Sequence, residues 1–189
     1  MSGAHVLLQY GEDFRNMRFE DLEGRMAFSL RTVEETPNLI LRLTRESLWA
    51  SQHPSVMGPT SSFFYFGPSR TQGYLGYGNS PTQPMANFRR QKSGSSTSRY
   101  FSAQNGVEYK WRLSPHRLEH PPTFNRVFVQ LKSFRQCVDN KGAALATWEI
   151  AQPGDEFHGR LTIKHAALSM ITELLTTLTL NRIALSLNW

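Results

Sequence analysis

The sequence predicts a mainly β protein: an antiparallel β-barrel of about twelve short strands that encloses a hydrophobic C-terminal helix at about 168–187. Two features predict this fold. Segments in which apolar and polar residues alternate recur along the chain between turn residues, which is typical of antiparallel strands. The last segment has helical periodicity instead and carries only two charges, Glu173 and Arg182.

The terminal segment has no charged face. Leucines and isoleucines form a broad stripe at the 100° step of a helix, and the opposite side carries threonines beside further apolar residues. A membrane span needs about 20 consecutive apolar residues, and Glu173, Asn181 and Arg182 interrupt this run. We therefore expect a helix buried within the domain and no integral membrane span.

The first half of the chain predicts a hairpin followed by further short strands. Apolar residues alternate with charged or small ones on both sides of the Glu23-Gly24 turn, within residues 17–30. Residues 39–44 alternate in the same way. One or two short aromatic strands follow, at 62–66 and 73–77, between turns rich in Gly and Pro, and an exposed aromatic loop for a ligand or membrane is the alternative.

The clearest strand follows the hairpin turn Asn105-Gly106. Because side chains alternate between the two faces of a strand, an apolar row is predicted to face the core: Val107, Tyr109, Trp111 and Leu113. The opposite row faces water or a ligand, and it consists of Glu108, Lys110 and Arg112. Further strands are predicted at 126–134, 143–150 and 160–164.

Residues 79–99 are rich in Pro, Gly and Ser, which predicts a flexible loop or linker. This segment lies within a single domain that covers 1–189, because the length suits one domain with a sizeable core and no repeat is seen. It contains the basic residues Arg89, Arg90 and Lys92.

The composition leaves several partners open. A formal net charge of +6 is compatible with nucleic acid, an anionic membrane surface or a phosphorylated ligand, and also with no acidic partner. The single cysteine, Cys137, excludes an internal disulfide and fits a reducing compartment. Since the N-terminus has no secretory pattern, we expect a cytoplasmic protein.

A series of short motifs gives the chain a family resemblance. They are an early D-x-x-G turn, a G-x-x-Y-x-W strand, a second D-x-x-G hairpin, an L-x-I strand and a Thr-containing apolar helix. Their carriers are Asp21 and Gly24; Gly106, Tyr109 and Trp111; Asp139 and Gly142; Leu161 and Ile163; Glu173 and Thr177. In this order they resemble a family of small, uncharacterised fungal proteins.

That family in turn resembles the tubby C-terminal and phospholipid-scramblase-like fold. The resemblance implies a barrel of about twelve strands threaded by a hydrophobic C-terminal helix, in agreement with the residue pattern. Members of the wider fold bind phosphoinositides or act at membranes, so the resemblance implies a lipid-binding role for this chain. The fungal family itself carries no agreed function.

Two sets of residues are candidates for ligand binding. If residues 79–99 fold back over the clearest strand, five cations converge on an anionic head group: Arg89, Arg90, Lys92, Lys110 and Arg112. Pairing of Lys110 and Arg112 with cross-strand carboxylates is the alternative. An apolar ligand at the barrel mouth would instead contact Phe64, Phe66, Tyr74 and Tyr77.

Catalytic patterns are weak. The string His116 to His120 fits H-x-x-E-H, but prolines on both sides leave barely one helical turn, so we expect no metal site. His158 and His165 lie near Asp155 and Glu156 in sequence, as surface neighbours often do. Cys137 has no activating base nearby in sequence. We expect neither a catalytic residue nor a cofactor.

The predicted function is a non-enzymatic lipid-binding or membrane-surface module that recognises anionic, phosphoinositide-type head groups and sits peripherally at membranes. One alternative is a small enzyme or carrier that binds an apolar metabolite at the barrel mouth. A nucleic-acid-binding protein is the second alternative, although the sequence lacks a continuous basic stripe.

Overall fold

The chain folds into twelve strands and two α-helices, which a computed structural model describes for residues 3–113 and 134–189. The strands are β1 (Ala4–Tyr10), β2 (Asn16–Glu20), β3 (Met26–Glu34), β4 (Ile40–Arg45), β5 (Ser61–Tyr65), β6 (Tyr74–Tyr77), β7 (Gln83–Pro84), β8 (Arg99–Ser102), β9 (Glu108–Leu113), β10 (Phe134–Val138), β11 (Ala144–Ile150) and β12 (Gly159–Lys164). The helices are α1 (Ser47–Ser51) and α2 (Ile171–Ser186), and short 3-10 helices span Pro68–Arg70, Met85–Phe88 and His165–Met170.

All twelve strands belong to one antiparallel sheet that follows chain order. β1 pairs with β2 on one side and with β12 on the other, so the two ends of the chain lie side by side in the middle of the sheet. The sheet edges are β7 and β8, and the hydrogen bonds do not close the ring between them. The 3-10 helix Met85–Phe88 packs beside β8, and an isolated bridge joins Arg90 to Tyr100 at this opening.

Two D-x-x-G turns of the same construction connect strands. The Asp21 carboxylate accepts the backbone N–H groups of Glu23 and Arg25 at 3.0 and 2.9 Å, and Gly24 takes a φ of +76°. Asp139 accepts the corresponding N–H groups of the second turn at 2.9 and 2.8 Å. Because glycine adopts positive φ without steric cost, the sequence spacing of Asp and Gly determines this turn.

Helix α2 is the centre of the core. Every residue from 171 to 181 is buried. Two of its threonines form hydrogen bonds to strands within the core: Thr176 Oγ1 lies 2.7 Å from Ser62 Oγ of β5, and Trp111 Nε1 of β9 donates to Thr177 Oγ1 at 2.9 Å. Both hydroxyls also donate to carbonyls one helical turn earlier. These hydrogen bonds allow α2 to be buried on all sides although it carries polar residues.

The predicted fold class is confirmed: a mainly β, twelve-stranded antiparallel sheet surrounds a buried C-terminal helix in a barrel-like arrangement that is not closed by hydrogen bonds. The helix begins at Ile171, and residues 165–170 form the 3-10 helix before it. In the described ranges, no helix has the length and apolarity needed to cross a membrane.

The structure differs from the sequence prediction at β1 and at Val107, and a third predicted element lies almost entirely outside the described residues. Strand β1 was not predicted, although it occupies the middle of the sheet. Val107 does not join the core row, because β9 begins one residue later and the Val107 side chain is 38% exposed. The predicted strand at 126–134 lies outside the described residues except for Phe134, which begins β10.

Candidate functional site

The outer surface of the β8–β9 hairpin carries a basic face, which we define by the side chains of Arg90, Lys92 and Lys110 near Tyr100 and of Arg112 two residues further along β9. Tyr100 of β8 lies directly opposite Lys110 of β9. Directly opposed residues of an antiparallel pair share one face of the sheet. Their neighbours Phe101 and Trp111 are buried on the other face.

The segment before β8 folds back onto this face. The backbones of Arg90 and Tyr100 exchange two hydrogen bonds, of 2.9 and 2.8 Å. This bridge places Arg90 and Lys92 within ion-pairing distance of Glu108, and the Arg90 guanidinium lies 3.1 Å from the carboxylate. Arg90 also donates to Ser102 Oγ at 2.9 Å. Two of the five predicted cations, Arg90 and Lys92, are therefore held together beside Glu108 on the basic face.

Two lysines lie near the ring of Tyr100. The Lys92 and Lys110 ammonium groups are 4.5 and 5.6 Å from the centre of its ring, within the range of cation–π attraction. The fourth cation, Arg112, donates to Gln136 Oε1 at 2.6 and 3.1 Å. Within residues 3–113 and 134–189, Glu108 is the only carboxylate that forms ion pairs with this set, so the face keeps an excess of positive charge.

Arg89, the fifth predicted cation, does not lie on the basic face. Its side chain is half-buried, and its Nε lies 3.5 Å from Asn181 Oδ1 of α2. Burial is the main cause that lowers the pKa of Arg89, and the neighbouring positive charges of Arg99 and Arg135 lower it further. Arg89 therefore contacts the helix at the centre of the barrel, whereas Arg90 points outward.

The four aromatic residues predicted to contact an apolar ligand do not share one surface. Phe64, Phe66 and Tyr77 are buried in the core, while Tyr74 is 55% exposed on the outside of β6. Phe66 packs near Trp189 with 5.8 Å between ring centres, and Tyr77 meets Phe88 edge-on. In these positions the three buried rings fill space around α2.

A cleft of about 240 Å³ opens at the end of the barrel where α2 begins. Its lining includes His5, Asp21, Trp49 and His53. His53 stacks on Trp49 at 4.3 Å, and the His5 ring centre lies 5.9 Å from that of His53. Burial is the main cause that lowers the pKa of His5, and the charges of His53 and His165 lower it further. Across the described part of the chain, no group of three or more His, Cys, Asp or Glu is arranged to hold a metal ion.

The remaining reactive side chains form no catalytic arrangement among the described residues. His158 lies 3.4 Å from Glu12 rather than beside Asp155. His165 Nε2 is 3.4 Å from Ser55 Oγ. Cys137 is fully buried, and burial raises the pKa of its thiol. The H-x-x-E-H string lies outside the described residues.

Comparison with known proteins gives no match: no family model, curated protein or solved structure is similar to this chain. The resemblance to fungal and tubby-like proteins therefore stays a prediction from the sequence motifs.

Proposed function

We propose that this protein is a non-enzymatic module that binds anionic lipid head groups of the phosphoinositide type through the basic face and associates peripherally with cytoplasmic membrane surfaces. The observation that carries the proposal is the convergence of Arg90, Lys92 and Lys110 around Tyr100. Two separate segments, the fold-back before β8 and the strand β9, contribute these cations.

The charges on the basic face suit reversible docking. Four cations less the single carboxylate of Glu108 leave three net positive charges. Each cation near an anionic bilayer contributes about 1 kcal/mol, so the face would supply about 3 kcal/mol, or roughly a hundredfold in affinity. Such binding weakens as salt screens the charges.

Glu108 suggests how a phosphate would be accommodated. Its carboxylate accepts from Arg90 and Lys92 and is still 31% exposed, so the two cations are held in place at the surface. A head-group phosphate offers the same donors a more highly charged acceptor. It would compete with Glu108 for Arg90 and Lys92 without any need to reposition the strands.

Vesicle co-sedimentation tests the proposal. Phosphatidylcholine vesicles, with and without a phosphoinositide, are mixed with the wild-type chain and with the double variant Lys92→Gln/Lys110→Gln. We expect binding only to the anionic vesicles at low salt, with about thirtyfold weaker binding by the double variant, which loses two cations. The matched control, Arg31→Gln/Lys164→Gln, removes the same charge from exposed positions on β3 and β12 and should bind like wild type.

Three outcomes would overturn the proposal. They are absence of vesicle binding at low salt, equal weakening by the test and control variants, and binding to a single-stranded oligonucleotide in place of vesicles. Glu108→Gln provides a further check, because removal of the competing carboxylate should strengthen vesicle binding by several-fold. Weaker binding by Glu108→Gln would contradict the competition between Glu108 and phosphate.

A further inference from the structure

Inward-facing positions at one end of the barrel hold arginines. Arg99 of β8 lies directly opposite the buried Trp111 and two residues before the buried Phe101. Arg135 of β10 lies two residues before the buried Cys137 and is itself only 8% exposed. Since residues i and i+2 of a strand share a face, both arginines belong to the rows that pack around α2.

Helix α2 contributes a third arginine at the same end. The Arg182 guanidinium lies 4.6 Å from the centre of the Trp148 ring, and Trp148 is the direct cross-strand partner of Arg135. Arg182 also donates to the side-chain oxygen of the fully buried Gln9, near the end of β1. Arg182 and Arg135 therefore both adjoin Trp148.

Arg89 completes the set, which we call the inner arginine cluster: Arg89, Arg99, Arg135 and Arg182. Arg89 reaches the helix residue Asn181, next to Arg182. Arg99 donates to the carbonyls of Ser96 and Ser98 at 3.1 Å, which holds its guanidinium at the start of β8. Four separate parts of the chain thus supply one guanidinium each to the end of the barrel where α2 finishes.

The inner arginine cluster is short of negative charge within the described residues. Burial is the main cause that lowers the pKa values of Arg89, Arg135 and Arg182, the last to about 10, and neighbouring arginines lower all three further. Glu12 is the one carboxylate of the described residues whose charge opposes this effect, at Arg182, and its side chain is 85% exposed beside His158. The C-terminal end of a helix favours Arg182, but it does not explain inward arginines on two strands.

We propose that the inner arginine cluster is a binding site for a compact, multiply charged phosphate group, separate from the basic face. A guanidinium presents its N–H donors in a planar fork that matches two phosphate oxygens. A phosphate among several half-buried guanidiniums would supply the charge that they lack and would be well shielded from solvent. A single carboxylate or a chloride ion carries only one negative charge and would supply less of what the cluster lacks. This site does not depend on the membrane role proposed above.

Inorganic pyrophosphate is the probe, with isothermal titration calorimetry as the measurement at low ionic strength. We expect saturable binding by wild type and at least about tenfold weaker binding by Arg89→Gln and by Arg99→Gln, each of which removes one charged hydrogen-bonding partner. The control Lys92→Gln/Lys110→Gln should bind pyrophosphate like wild type. Conversely, the two arginine variants should keep wild-type binding to phosphoinositide vesicles.

This pairing separates the two proposals. If the lysine variant loses pyrophosphate binding and the arginine variants keep it, the inner site is overturned and the anion is assigned to the basic face. Absence of pyrophosphate binding by wild type would also overturn it. Soluble inositol trisphosphate, tested beside the vesicles, distinguishes a free phosphate compound from a lipid head group as the source of the phosphate.

Thermal unfolding of Arg135→Met distinguishes a binding role from a structural one. Because burial of a charge without an opposite charge beside it is unfavourable, we expect its Tm without ligand to equal or exceed that of wild type. Its Tm should then rise less than the wild-type Tm when pyrophosphate is added. A lower Tm without ligand together with an undiminished pyrophosphate shift would contradict the proposal.

Discussion

The hydrogen bond from Trp111 to Thr177 links β9 to the buried helix, and its removal gives a quantitative test of how α2 is held. The Trp111 indole N–H donates to Thr177 Oγ1 at 2.9 Å, and both side chains are almost fully inaccessible to solvent. Thr177→Val keeps the shape of the side chain but removes the acceptor. The indole N–H is then buried without a partner, which costs about 1–3 kcal/mol.

A mid-range cost of about 2 kcal/mol corresponds to a fall in Tm of about 4–8 °C for a chain of this length. Urea denaturation followed by tryptophan fluorescence measures the free energy of unfolding directly. Thr177→Ser is the companion variant, because it keeps the hydroxyl and loses only a methyl group. We expect it to cost about 1 kcal/mol through the small cavity alone.

Thr179 provides a matched control on the same helix. Its hydroxyl is buried but has no hydrogen-bond partner among the described residues. Thr179→Val has the same change in shape and nearly the same helix propensity, yet it should leave stability unchanged or raise it by up to about 1 kcal/mol. Equal losses of stability in Thr177→Val and Thr179→Val would refute the contribution assigned to the Trp111 hydrogen bond.

Three further predictions concern single buried side chains. Burial raises the pKa of Glu173. The carboxyl group therefore contributes to stability below its unfolded pKa of about 4.3, and this contribution is lost as pH rises and the buried group ionises. The Tm of Glu173→Gln should therefore exceed the wild-type Tm by more at pH 7 than at pH 4. Burial opposes ionisation of Asp21, but hydrogen bonds from Arg25 outweigh it and lower the pKa, so Asp21→Asn should lose about 2–3 kcal/mol in urea denaturation at pH 7, a gap that closes as pH falls below about 4. The buried thiol of Cys137, whose pKa is raised by burial, should react with a thiol reagent only when the protein unfolds.

Most strands could be predicted from the sequence because their outward residues are polar. β1 escaped prediction for a physical reason: its inward row contains Gln9, which is fully buried, while Leu8 on the opposite row is partly exposed. The amide of Gln9 is satisfied by the carbonyl of Gly11 and by Arg182. A polar residue held by partners far along the chain conceals the alternation on which the prediction depends.

The basic face was predictable in part. The period of β9 places Lys110 and Arg112 outward, but contact between Lys92 and Tyr100 depends on the bridge at Arg90, which local sequence does not specify. Arg89 and Arg90 were grouped because they are adjacent in sequence, yet in the structure Arg89 contacts α2 and Arg90 joins the basic face.

The inner arginine cluster was not predicted at all. From its residue type alone, an arginine is predicted to face solvent, even where it occupies an inward position. The available signal was spacing, since Arg99 precedes Phe101 by two residues and Arg135 precedes Cys137 by two. Convergence with Arg182 also requires the long-range packing of α2 inside the sheet, which only the folded chain provides.

Both binding proposals require that α2 lies enclosed at the centre of the sheet, because this defines the inward and outward rows. Native-state hydrogen exchange of the α2 backbone amides tests that most directly. If the helix is enclosed, the amides of residues 174–180 should exchange only through global unfolding, with protection of about 10⁴-fold or more. Exchange of these amides through local opening, as fast as in the exposed Gly24 and Gly106 turns, would contradict the enclosed helix and both proposals with it.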